Sequence, residues 1–128
     1  MAEQGETFLL AKAGINDHLF IIISDPSADP NRIVMANFTS WGGDKDQSCV
    51  VEVGEHRFIK VRSCVYYGED RLITLTQYEQ FLASGQLATH DPVSNDLLKR
   101  ILHGAAVSPF LPLGNRQILV EQGWIDCE

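Results

Sequence analysis

Two hydrophobic grammars divide the chain. Over roughly the first 73 residues apolar positions alternate or form short runs between turn signals, and after that they recur at helical spacing. "DHLFIIIS" (17–24) is apolar on both faces and carries three isoleucines, the pattern of a central strand covered on both sides. "DPSADPN" (25–31) holds two Asp-Pro pairs, which fix φ and cap a turn. "RIVMANFTS" (32–40) predicts a second strand, "WGGDKDQS" (41–48) a polar loop and "CVVEV" (49–53) a third strand. "GEHRFIKVRSCVYY" (54–67) then reads as a tight turn into a fourth strand, and "GETFLL" (5–10) adds a fifth. Short strands at this spacing predict a strongly bent antiparallel sheet or a small SH3-like barrel.

In "TLTQYEQFLASG", Thr76 as N-cap, Glu79 as its capping-box partner and Gly85 beyond the end predict a helix over 77–84. "DPVSNDLLKRILHG" places Asp91 at the N-cap, Pro92 at the first helical position and Gly104 at the far end, with Leu97, Leu98, Ile101 and Leu102 as the apolar stripe. Pro109 and Pro112 interrupt the tail, which leaves a short helix over 116–122 and lets Trp124 and Ile125 dock back on the body. The reading is one α+β domain over 1–128, a barrel-like part at 1–73 followed by two or three helices at 74–128.

Composition narrows the class. Hydrophobic residues at 45% and charged residues at 21% are those of an ordinary globular chain and exclude a disordered one. The longest apolar run, 19–23, is far short of the ~20 residues a bilayer span needs. Acidic residues stand where a secretory signal would be positive, so a cytoplasmic protein without a membrane partner is expected. Cys49, Cys64 and Cys127 form an odd set with no CxxC, expected to be reduced thiols, two of them buried in strands. Cys49, His56 and Cys64 are the one trio that neighbouring strands could bring together as metal ligands. No ligand motif or glycine-rich phosphate loop supports a metal or another cofactor, and none is expected.

A net charge of −7 repels nucleic acid on average, so a polyanion must be met by a local patch. Residues 57–62 hold three of the ten Lys and Arg residues, with His56 just before them. Read as a strand, this stretch puts His56, Phe58, Lys60, Arg62, Cys64 and Tyr66 on an outer face, and Arg57, Ile59, Val61, Ser63, Val65 and Tyr67 on the core face. Lys60 and Arg62, about 7 Å apart, suit successive phosphates of RNA, with Phe58 and Tyr66 to stack on bases. The competing reading is that these cations guard an exposed strand or pair with Asp44, Asp46 and Glu52. Two histidines flanking a phosphodiester, His18 at the mouth of the central strand and His56 in the turn, would with Arg62 suffice for metal-free RNA cleavage by the 2′-hydroxyl. Each has a structural alternative. Thr39, Ser40 and Ser63 offer hydroxyls to a phosphate; His90 reads as a loop residue and His103 as a helix-dipole partner.

The succession "HLFIIIS", a turn, "RIVMANFTS", a loop, "FIKVRSCVYY" and then "EDRLITLT" into a helix resembles the PemK/MazF group of bacterial toxins. These are SH3-like barrels that cleave RNA without metal and are neutralised by an antitoxin. The resemblance spans roughly residues 5–85, with its best matches at Thr39-Ser40, Arg62-Ser63 and Arg71-Leu72. Asp17-His18 stands where the group usually has Arg-Pro, and the helices after residue 90 exceed the toxin body. The resemblance implies that Thr39 and Ser40 hold phosphate, that Arg62 stabilises charge and that His18 or His56 transfers protons. An antitoxin-like or other protein partner and a homodimer are the assemblies to look for. A non-catalytic protein-interaction module on the same barrel is the alternative.

Overall fold

The computed structural model describes residues 2–12, 15–42, 46–68 and 71–126, with backbone alone at 11–12 and 15–18. In chain order the elements are β1 (Thr7–Lys12), β2 (Ile15–Ile22), β3 (Ile33–Ser40), β4 (Val50–Val51), β5 (Ser63–Tyr66), β6 (Leu72–Ile73), α1 (Leu75–Ser84), β7 (Leu87–His90), α2 (Asn95–Val107) and α3 (Leu113–Glu121). The fold is α+β. The described strands form an antiparallel sheet in the order β4-β5-β3-β2-β1-β7, with β6 added on β3. It stays open, so the sheet form of the expectation holds and the barrel does not close.

β2 is central, as its two apolar faces require. Leu19, Ile21 and Ile23 join Val34, Ala36, Phe38 and Val65 in one core, closed by Leu97, Ile101 and Ala105 of α2 and by Ile118 and Leu119 of α3. Phe20 and Ile22 join Phe8, Ile33, Met35, Ile73 and Leu87 in a second core under Tyr78 of α1. Helices therefore cover both faces of the sheet.

Several boundaries move from their expected places, each for a tertiary reason. β6 is pinned to β3 through Ile33↔Ile73, so the chain turns at Thr74 and not at Thr76. Thr74 Oγ1 accepts from Gln77 N–H while the Gln77 side chain accepts from Thr74 N–H, completing the capping box two residues early. Asp91 and Pro92 do not open α2, because Val93 N–H donates to Gly5 O and holds this connector extended along the sheet. Ser94 caps α2 in their place, accepting from Leu97 N–H at 3.1 Å.

Gly104 does not end α2. It lets the helix approach Tyr67, whose Oη donates to Ile101 O at 2.6 Å. A Cβ at Gly104 would collide with that Oη and lie 2.9 Å from Cys49 Cβ. α3 begins at Leu113 behind Pro112, and of the two docking residues Ile125 is buried while Trp124 stays 38% exposed. His90 ends strand β7, opposite Thr7 of β1, and is not in a loop.

Candidate functional site

The largest departure from the sequence pattern builds the site. Of residues 54–67 only Ser63–Tyr66 is strand; the chain before it makes successive turns. Gly54 sits at φ 98°, a left-handed position that glycine adopts without strain. Glu55 N–H then donates to Glu52 O, and Ile59 N–H to His56 O. The strand alternation fails accordingly: His56 is 6% exposed, Arg57 is exposed and Val61 is 56% exposed. Ile59 alone plugs into the core.

Folded back in this way, the 52–62 loop roofs a cleft of about 240 Å³ at the end of β3 and the start of β5, where Ser40 pairs with Ser63. Leu19, Phe38 and Ile59 give it an apolar lining; Ser40 and Ser63, paired across β3 and β5, bring hydroxyls, and Thr39 lines it beside them; Phe58, Lys60 and Val61 form the outer wall. Five of the six predicted binding residues thus converge: Thr39, Ser40, Phe58, Lys60 and Ser63. Tyr66 does not join them. It sits one residue out of phase with Val65, on the other face of β5, with its ring over Gly68.

His56 is the fastener of the roof. Its Nδ1 accepts from Phe58 N–H at 3.0 Å, which leaves the proton on Nε2. Nε2 donates to Asp91 O at 2.6 Å and lies 3.4 Å from Thr7 Oγ1, which also donates to Asp91 O. A neutral imidazole satisfies both backbone groups, and proton transfer there would break one of these bonds. Phe58 rests against the His90 ring, centroids 5.5 Å apart.

The basic run is largely matched by acids. Arg62 Nε lies 3.0 Å from Glu52 Oε2, with its guanidinium 5.1 Å over the Trp41 ring. Arg57 Nε lies 3.5 Å from Asp91 Oδ2. Lys60 is exposed at the cleft and has no ion pair among the described residues. Both arginine pairs are solvated and therefore weak. Of the expected acidic partners only Glu52 serves: Asp46 is buried, accepting from Ser48 and from Ser108 Oγ, and Asp44 lies outside the described residues. A further pair, Arg100 with Glu55, ties the loop to α2 and holds the Glu55 carboxyl below its usual range.

His18 is placed by backbone alone, opposite Leu10 in β1; its side chain and that of Asp17, like Cys127, lie outside the described residues. Cys49 and Cys64 are buried and form no disulfide among the described residues, and burial pushes Cys49 up from the ordinary thiol range. No cluster of three metal-ligating side chains forms among the described residues, and none of the described helices is long and apolar enough to cross a membrane. The sequence reading missed the parts that depend on folding back: the roof itself, the Leu19 and Phe38 floor, the Trp41–Arg62 stack and the His90 support. The glycine at 54 was the one local sign of the bend.

Comparison with family models, with curated proteins and with solved structures yields no match to this chain. The cleft is therefore interpreted from its own chemistry.

Proposed function

We propose that the protein binds single-stranded RNA at this cleft, with a phosphate against Lys60 and the Ser40 and Ser63 hydroxyls and a base against Phe58. The observation that carries the reading is the convergence of a cation with no ion pair among the described residues, the Ser40 and Ser63 hydroxyls and an exposed aromatic ring on a single depression of a molecule of net charge −7. A volume of about 240 Å³ is on the scale of one nucleotide unit. Ser63 Oγ now donates to Val61 O at 2.9 Å, and would rotate to reach a phosphate oxygen. Arg62 can leave Glu52 for a neighbouring phosphate, since an exposed pair is worth no more than about 1 kcal/mol.

Fluorescence anisotropy with a labelled single-stranded RNA of about 12 nucleotides tests this. Lys60→Glu is expected to weaken binding about tenfold and to lower the salt dependence by about one counterion. Binding that ignores Lys60→Glu, or that ignores salt, defeats the reading. Its catalytic extension assigns proton transfer to His18, since both His56 nitrogens are engaged. It predicts strand scission in the presence of a chelator by the wild-type chain and none by His18→Ala. RNA left intact by the wild-type protein removes the extension and leaves binding standing.

A further inference from the structure

A second feature lies on the helical layer and shares no lining residue with the cleft. Three adjoining depressions run along the outer side of α2. One of about 520 Å³ sits between the end of α2 and α3, over Ala106, Val107, Leu113 and Val120. The next, about 290 Å³, lies between Leu102, Ala106, Trp124 and Ile125. The third, about 300 Å³, lies between Val50 and the side chains of Lys99, Arg100 and His103. The first two share Ala106 and Asp126 and the last two share Lys99 and His103, so they form one trough. From Lys99 to Val107 it is about 12 Å long at 1.5 Å per helical residue. Its apolar rim is open to solvent: Leu113 is 78% exposed and Val107 58%.

Its charge is the reverse of the molecule's. Lys99 and Arg116 edge the trough, with Arg100 beside them already paired to Glu55, against Asp126 as the one carboxylate among the described lining residues, in a chain of net charge −7. Lys99 has no ion pair among the described residues. Arg116 is held by the last carbonyls of α2, donating to Ala106 O at 3.0 Å, and has no ion pair among the described residues. An aliphatic floor with a cationic rim matches a helix that is apolar on one side and acidic on the other. A second copy docked trough to trough would set this rim against its own kind, and a strand of RNA, held by its phosphates, would leave the aliphatic surface of Leu113 and Val107 uncovered.

We infer that this trough is the docking site for an acidic amphipathic helix of a partner protein. The inference does not depend on RNA binding. The probe is a labelled synthetic peptide of roughly 12 residues, with leucines at i, i+3, i+4 and i+7 and glutamates elsewhere. A twin with lysine in place of glutamate and a scrambled peptide serve as controls, all measured by anisotropy against the full chain. The acidic peptide is expected to bind at least about tenfold more tightly than either control. Leu113→Glu and Lys99→Glu, both at exposed positions and checked for an unchanged circular dichroism spectrum, are each expected to lose that advantage. Equal binding of the lysine twin, indifference to both substitutions, or no saturable binding overturns the proposal. So does displacement of the peptide by the RNA oligonucleotide, which would hand the trough to nucleic acid.

Discussion

Removing the His56 ring would leave the partly buried Phe58 N–H without its acceptor and take from the Asp91 carbonyl one of its two donors, Thr7 Oγ1 keeping the other. His56→Ala is therefore expected to cost about 2–3 kcal/mol of folding stability, read from urea unfolding. His56→Asn should cost less, because its amide oxygen can still accept from Phe58 N–H. Equal losses would mean that ring packing and not hydrogen bonding sets the residue's value. Glu55 shows the complementary, charged kind of anchor. Its carboxyl is held below the ordinary glutamate value of 4.5 chiefly by the hydrogen bond from Arg100. A depressed carboxylate contributes stability that is fully present above the unfolded value and is lost as pH falls through the folded one. Arg100→Met should flatten the acid limb of the stability–pH curve below about 4.5, measured by denaturation at a series of pH values.

Among the elements, legibility tracked how locally each decision is made. β2 was readable because three isoleucines in an unbroken apolar run need cover on both faces, whatever their neighbours. The end of α1 was readable from Gly85 and the interior of α2 from its stripe, but their first residues were set by β6 and by the Gly5–Val93 bond, which no window of sequence contains. Strands of two and four residues, β6 and β7, exist only because β3 and β1 offer them edges. The run 54–67 alternates well enough to be a strand, yet a left-handed Gly54 and the pull of Asp91 on His56 fold it into a roof. Gly104 was misread as a stop because glycine serves helix ends and close approaches alike. Gly104→Ala is expected to destabilise by about 1–3 kcal/mol through overpacking against Tyr67 and Cys49. Tyr67→Phe in the same chain should recover part of that loss, a coupling that a double-mutant cycle measures.

For the whole molecule, residue type located the cleft better than secondary structure did. Phe58 and Lys60 were selected as one side of a ribbon and Thr39, Ser40 and Ser63 as hydroxyls for a phosphate, and the folded-back loop brings all five to one depression by another route. Tyr66, chosen by the same alternation, falls on the opposite face because β5 is true strand there. The trough along α2 was beyond the sequence, since its walls come from the separate packing of α2, α3 and the segment at 124–126. The cleft and the trough also divide the positive charge of an acidic protein into two small territories, each exposing a cation that no described carboxylate neutralises.

The meeting of Thr7, His56 and Asp91 carries an implication for biosynthesis. Thr7 and His56 are 49 residues apart and His56 and Asp91 another 35. While the polypeptide is still being made, the roof has nothing to latch onto until position 91 has cleared the ribosome. The cleft therefore takes its final shape only after most of these residues have been synthesised.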